Sequence, residues 1–306
     1  MRGAIDKVDG FFHHGVSVSQ MKSKAKELGL TCEIKRIGSD RRWALQIGDD
    51  PGECVFLELR FHKSTHSSKL ISNPSRFASH RRYLTFLIQL FGRNETENIR
   101  IFRIDFCVDL DLPFSELIKW LRVPYKQIKR SDTDKGRNRT GITFGRGDLV
   151  ICVYDKNEEQ RRNGVELEGP VTRIEVRYTG DRLPIQYVRE LPDLLSVNFN
   201  GRRLSPFSVV SIEPCHLVPI ETVAAPPLQT SKAIDKLITW VRLDTYLKVG
   251  GLDLAKKQMN AHGNFNRDVR GILNHEEFPH DLNSVLRSDL EVYFERPSLS
   301  RRRHEL

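Results

Sequence analysis

Cysteine is scarce and unpaired in this chain. Five occur among 306 residues, Cys32, Cys54, Cys107, Cys152 and Cys215, an odd number without a C-x-x-C spacing. That argues against a disulfide scaffold and the common structural zinc sites, and fits a reducing compartment. Long apolar runs are also missing. The most apolar stretch, Tyr83–Phe91, is far shorter than the ~20 residues of a spanning helix. The start, Met1-Arg2-Gly3-Ala4-Ile5-Asp6, lacks the apolar core of a signal peptide. A cytoplasmic location without a membrane partner is therefore expected. No His-x-His occurs, and the close pairs are His13-His14 and His62-x-x-x-His66. His62 ends an expected strand, so helical i, i+4 ligation is not available to that pair, and a zinc hydrolase is set aside. No G-x-x-x-x-G-K-S/T is present, so any nucleotide-driven unwinding must come from a separate helicase. No internal repeat of fixed period is visible.

Positive charge is in excess: 49 Lys and Arg against 40 Asp and Glu, a formal +9, with 39% apolar and 29% charged residues. Such a composition describes a folded protein whose partner is a polyanion. Patterning predicts a helix over Ser19–Leu28 closed by Gly29, then strands near Thr31–Ile37, Arg42–Ile47 and Cys54–Phe61. Ser79 caps a second helix that ends at Gly92, and strict alternation marks Ile101–Asp109 as a strand. A helix near Pro113–Leu121 and strands over Leu149–Tyr154 and Val171–Tyr178 follow. This order belongs to an α+β domain with an antiparallel sheet and helices on one face, over residues 1–220. Ala224-Ala225-Pro226-Pro227 lies in the expected linker, 221–231, because adjacent prolines stop helix and sheet alike. A small helical domain with a basic tail is expected over 232–306.

Two strands carry the chemistry. Period two sends Phe102, Ile104, Phe106 and Val108 to the core and Arg103, Asp105, Cys107 and Asp109 to the opposite face. Over Val171–Tyr178, Arg173, Glu175 and Arg177 likewise share the polar face. If the strands are neighbours, Asp105 and Glu175 can lie roughly 5 Å apart, which suits a shared Mg²⁺ or Mn²⁺. Asp109 is a weaker candidate for that ion, being about 13 Å further along the strand. The alternative is a sheet face laced with Arg–carboxylate pairs. Tyr154-Asp155-Lys156 ends another strand. There Asp155 could join the metal or orient Lys156, and Lys156 could hold a phosphate or steady a nucleophile. A solvated strand-ending turn is the alternative. Lys126, Lys129, Arg130, Lys135, Arg137 and Arg139, with glycine and asparagine among them, form a loop or ribbon suited to DNA phosphates.

In order, Arg103-Ile104-Asp105-x-x-x-Asp109, Gly141-Ile142-Thr143-Phe144-Gly145, Val153-Tyr154-Asp155-Lys156 and Arg173-Ile174-Glu175-Val176 resemble the replication initiation factor family. These are the rolling-circle Rep proteins of phages and plasmids that lack the His-hydrophobe-His motif. Asn73-Pro74-Ser75-Arg76-Phe77 extends the likeness upstream, so that it covers roughly residues 70–195. Cys152 stands where the family often has arginine. The resemblance implies a metal-dependent nick of one origin strand, with a tyrosine joined to the 5′ phosphate and a free 3′ hydroxyl left to prime synthesis. The strand is later rejoined. Expected partners are origin DNA, locally unpaired, a host helicase and a second copy of the chain in a homodimer.

Such chemistry requires a phenol assisted by a metal or a cation. Seven tyrosines exist. Packing accounts for Tyr83, Tyr154, Tyr246 and Tyr293, Tyr125 lies in a basic loop, and Tyr178 points by parity to the apolar face. Tyr187 falls in a short expected helix just beyond the Glu175 strand, where the family resemblance implies the nucleophile. The expected assignment is thus Tyr187 as nucleophile, Arg173 and Lys156 as charge stabilisers, and Asp105, Glu175 and Asp155 as metal ligands. The reading from a different class is a non-catalytic, sequence-specific DNA-binding regulator of a mobile element.

Overall fold

The computed structural model describes residues 1–37, 42–49, 52–61, 66–123, 128–133, 139–145, 147–162, 164–196, 198–199, 202–203, 205–212, 215–217, 231–260, 273–275 and 281–295. It is an α+β fold built on one ten-stranded antiparallel sheet. In chain order the first half runs β1 (Arg2–Phe11), α1 (Val18–Glu27), β2 (Cys32–Ile37), β3 (Arg42–Gly48), β4 (Cys54–Phe61), β5 (His66–Ser72), α2 (His80–Phe91) and α3 (Arg93–Glu97). The second runs β6 (Arg100–Leu110), α4 (Phe114–Trp120), β7 (Leu121–Arg122), β8 (Ile128–Thr133), β9 (Arg139–Phe144), β10 (Leu149–Asp155), α5 (Lys156–Arg162) and β11 (Thr172–Thr179).

Across the sheet the order is β2-β3-β4-β5-β1-β6-β11-β10-β9-β8. Each half starts with an inner strand, crosses by a helix to the outer edge and returns as a meander to pair with its own first strand. The halves meet at β1 and β6, which are antiparallel. The sequence carries no periodic repeat, so the repetition lies in the topology.

Local signals account for most of these elements. Ser17 caps α1 in a reciprocal box with Gln20, and Ser79 accepts from the Arg82 amide to start α2. Gly92, at φ 84°, ends α2 and redirects the chain into α3. The expected strands appear with boundaries shifted by a residue or so, whereas β1 and β5 carry no alternation clear enough to predict them. β1 is interrupted by irregularities at Ile5/Lys7 and Asp9/Gly10, which break its period of two.

One face of the sheet is apolar. Ile104, Phe106, Val108, Ile174 and Val176 join Leu45, Leu57 and Leu70 in a single core with α1, α2 and α4. The last helix, Leu282–Glu295, joins it as well through Leu282, Leu286 and Leu290. Its backbone lies so close to β1 that a Cβ on Gly3 would stand 2.6 Å from Leu286 Cα. The Gly3 amide donates to Asp289 at 2.6 Å, and the Tyr293 hydroxyl donates to the Pro74 carbonyl at 3.1 Å. Residues expected in a separate C-terminal domain thus share the core of the sheet. The 30-residue helix Ser231–Asn260 has a small cluster of its own, Leu243, Leu247, Ala255 and Met259, which meets Trp120 of α4. Of the expected linker, only Ser231 lies within the described residues.

His80 is buried at the start of α2, with its ring 4.9 Å from that of Phe294. Burial lowers its pKa from 6.5 to about 4. The unfolded chain therefore binds the extra proton over this range, and stability falls as pH drops from 6.5 towards 4. The loss is on the order of 3 kcal/mol. Urea denaturation across this range compares wild type with His80→Phe: the variant should lack this one-proton component, and an unchanged pH slope would refute the assignment.

Candidate active site on the polar face of the sheet

The face of the central strands turned away from the helices carries the charge. On β6 it bears Arg103, Asp105, Cys107 and Asp109, and on β11 Arg173, Glu175 and Arg177. β6 and β11 are neighbours, as the expected chemistry requires. Their register sets Arg177 opposite Asp105, Glu175 opposite Cys107 and Arg173 opposite Asp109. Asp105 and Glu175 are therefore diagonal neighbours on one face. Relative exposure is 0% for Asp105 and 6% for Glu175, so neither carboxylate is solvated in the ordinary way.

Two arginines serve this pair. Arg103 Nε donates to Asp105 Oδ1 at 2.8 Å and Oδ2 at 3.1 Å. Arg177 donates from Nε to Asp105 Oδ2 at 3.4 Å and from Nη2 to Glu175 Oε1 at 3.0 Å. Burial, helped by the charge of Asp105, still pushes the Glu175 carboxyl up to about 7. Two carboxylates here share what positive charge there is.

Sequence reasoning missed a third carboxylate, Asp9 on β1. It is 1% exposed, lies 3.3 Å from the Lys69 ammonium and 4.0 Å from Arg103, and keeps a buried Oδ1 without a hydrogen-bond partner among the described residues. Alternation in β1 would have found it, had the bulges not broken the pattern. Within the described ion-pair network, Asp6, Asp9, Asp105, Asp109 and Glu175 oppose Lys69, Arg103, Arg173 and Arg177. Asp9, Asp105 and Glu175 are matched by Lys69, Arg103 and Arg177, while Asp6 and Asp109 share the single charge of Arg173.

The orphaned Asp9 oxygen and the carboxylate oxygens of Asp105 and Glu175 fit a hard divalent cation. Mg²⁺ takes one or two carboxylates and completes its shell with water or phosphate. Among the described residues no group of three or more His, Cys, Asp or Glu is arranged around one metal position. Asp155, the third expected ligand, sits at the end of β10, and its Oδ1 accepts from the Glu158 amide at 3.1 Å, capping α5. It is three residues along β10 from Cys152, the partner of Glu175, or about 10 Å away.

Arg173 is committed elsewhere on the face. Its Nε and Nη2 donate to Asp109 at 2.6 and 2.8 Å, and its Nη1 donates to Asp6 at 2.6 Å. Lys156 opens α5, pairs with Glu159 and has its ammonium 5.8 Å from the Tyr154 ring centre. Glu175, Arg177, Cys152, Tyr154 and Asp155 line one cavity of about 560 Å³ between β9–β11 and α5.

Tyr187 is not on a helix. Its backbone is extended (φ −129°, ψ 153°) and bridges to Arg100 at the start of β6, and the following 3₁₀ segment, Val188–Leu195, begins one residue later. The Ile101 amide donates to the Gln186 carbonyl and the Val188 amide to that of Ile99, so Tyr187 and Arg100 share the polar face. The Arg189 guanidinium lies 4.3 Å from the Tyr187 ring centre. Tyr187 is five residues along β6 from Asp105, roughly 16 Å. Tyr178 is buried on the apolar side, its hydroxyl donating to the Pro206 carbonyl at 2.9 Å. Tyr154, read from sequence as packing, is the tyrosine that lines the cavity with Glu175. Its phenol pKa is pushed far up, chiefly by burial.

Of the expected DNA-contacting residues, Lys129 and Arg130 fall in β8 and Arg139 in β9, at one edge of the sheet. Lys126, Lys135 and Arg137 lie outside the described residues. Arg162 Nε donates to Glu158 at 3.1 Å, and Arg161 pairs with the same carboxylate.

The Arg173 network makes a firm demand. Arg173 is 12% exposed and is paired with two carboxylates. Arg173→Met should destabilise the fold by about 3 kcal/mol, the low end for a broken buried pair, because the half-buried Asp6 and Asp109 would remain uncompensated. Chemical denaturation measures this, and a loss below about 1 kcal/mol would show that the arginine is dispensable to the fold.

Among the described residues no helix is long and apolar enough to cross a membrane. No protein-family model and no curated protein matches the chain. Among solved structures, it is similar to a rolling circle replication initiator protein from Geobacillus stearothermophilus, at 14% identity and a TM-score of 0.38, over 59% of this chain and 75% of that one.

Proposed function

We propose that this protein nicks one strand of a replication origin, joining a tyrosine to the 5′ phosphate and later resealing the strand, as an initiator of rolling-circle replication. The observation that carries the reading is the buried Asp105–Glu175 pair, drawn from neighbouring strands and flanked by Arg103 and Arg177, with Glu175 lining a cavity that also holds a tyrosine. The order of motifs along the chain supports the same reading.

Asp105 and Glu175 would hold Mg²⁺ or Mn²⁺, with Asp9 beside them. Such an ion, when bound, supplies charge to a phosphoryl oxygen and to an ionising phenol. Arg177 and Lys156 stabilise negative charge on the scissile phosphate, while Arg173 holds β1, β6 and β11 in place through Asp6 and Asp109. Tyr187 is partly exposed with a guanidinium over its ring; at roughly 16 Å from Asp105 it would be assisted as nucleophile by Arg189 and not by an ion on the carboxylate pair. Tyr154 is supported by its position near the carboxylates, against the burial that disfavours its ionised form. Lys126, Lys129, Arg130, Lys135, Arg137 and Arg139 would grip origin DNA near the sheet edge, and a host helicase would open the duplex.

The second reading, a DNA-binding regulator without cleavage, is favoured by one observation: both Asp105 oxygens already accept from arginine. Incubation with supercoiled DNA carrying the protein's own origin and Mg²⁺ or Mn²⁺ separates the two. Nicking predicts open circles and a detergent-stable protein–DNA adduct, both abolished by chelator and by Glu175→Gln. Loss of the adduct in Tyr187→Phe assigns the nucleophile, whereas survival there with loss in Tyr154→Phe assigns it to Tyr154. Salt-sensitive binding indifferent to chelator and to Glu175→Gln, with no open circles, would leave the regulator.

A further inference from the structure

Alternation along β6 assigns Phe102 to the core, but the structure places it elsewhere. Ile101 and Ile104, three residues apart, both belong to the core. The register between β1 and β6 shifts from Asp9↔Arg103 to Gly10↔Ile101, leaving Phe102 as the extra residue of a β-bulge. Its ring is stacked on that of Phe11, with centroids 4.5 Å apart and planes at 28°. Phe11 is 45% exposed. Neither ring belongs to the hydrophobic core. The Lys69 ammonium stands 4.8 Å from the Phe102 ring centre while paired with Asp9. An aromatic stack, its outer ring exposed, is thus held beside a cation on an otherwise polar sheet face.

Its position has a consequence. Phe102 is two residues from Arg100, which faces Tyr187, and three residues from Asp105 on the other side. A strand of DNA running from the carboxylate pair to Tyr187 would cross this stack, about 10 Å from Asp105 along β6. Flat aromatic faces beside cations are how proteins hold unpaired bases, since every base offers a π-face and the phosphates need countercharge. Duplex DNA keeps its bases stacked on one another and has no face to offer.

We infer that Phe11 and Phe102 form a stacking platform for an unpaired base of single-stranded DNA, with Lys69 and Arg100 as its phosphate contacts. This rests on the nicking reading for its biological sense but not for its test. Binding of a labelled, unstructured single-stranded oligonucleotide to the full chain is measured by fluorescence anisotropy with chelator present, so that no cleavage intervenes.

Phe11→Ala and Phe102→Ala should each weaken single-strand binding about five- to hundred-fold, and Phe102→Trp should retain it. Duplex of the same sequence should be bound equally by all these variants. An oligonucleotide with abasic sites should bind wild type more weakly by a similar factor and should gain nothing further from Phe102→Ala, the mark of a shared interaction. Phe102→Leu, which keeps the volume of an apolar side chain, guards against a folding defect and should behave as Phe102→Ala does.

Absent single-strand binding by wild type, equal losses on single strand and duplex, or an abasic penalty that persists in Phe102→Ala would each overturn the platform. Should the nicking reading alone be wrong, Glu175→Gln and wild type would both lack adducts on origin DNA, yet this base-dependent cycle would stand.

Discussion

The pairing of β1 with β6 is the constraint on which the rest of the structure depends. These are the inner strands of two topologically similar halves, and each also pairs with the last strand of its own meander. Their apolar residues anchor one continuous core, and the helices of both halves close over it. Because successive side chains alternate, burying one face obliges the residues between to stand together on the other. The acidic and basic groups of the candidate site are gathered by the same strands that build the core. Even the last helix is locked to this seam, through Gly3 and Leu286.

The polar face is an ionic lattice rather than a set of solvated charges. Arg173 bridges β11 to β6 and β1 through Asp109 and Asp6, and Arg103 and Arg177 converge on Asp105. Isolated charges at this depth would be costly, so each needs its partners in register. The lattice has two different regions. Around Arg173 all three hydrogen-bonding nitrogens are taken up by Asp109 and Asp6, which suits a structural clamp. Around Asp105, Glu175 and Asp9 three carboxylates face Arg103, Arg177 and Lys69, and one carboxylate oxygen, Asp9 Oδ1, has no partner among the described residues, which suits a group prepared to receive a cation.

Much of this was legible in the residues. Strict alternation in Arg103–Asp109 and Thr172–Tyr178 is a local property, so the faces of Asp105, Glu175, Arg173 and Tyr178 could be read directly. Capping signals at Ser79 and Gly92 located α2 for the same reason. Bulges are not local in this sense, because an extra residue is defined only against the partner strand. That is why β1 escaped notice, why Asp9 was overlooked and why Phe102 was assigned to the core. Tyr187 was expected on a helix because its neighbours look helical, but its backbone is claimed by a bridge to Arg100, an interaction between segments 87 residues apart in the chain.

By itself the sequence determined the α+β class, the antiparallel strands, the polar face of the two motif strands and the excess of positive charge. These follow from side-chain periodicity and composition, which need no knowledge of partners. Only the tertiary structure decided that Arg177 rather than Arg173 serves the carboxylate pair, that Asp155 caps a helix away from it, and that Tyr154 shares its cavity. Strand order and register set those relations. Both are fixed by which strands meet across the sheet, and a one-residue shift there changes every cross-strand neighbour.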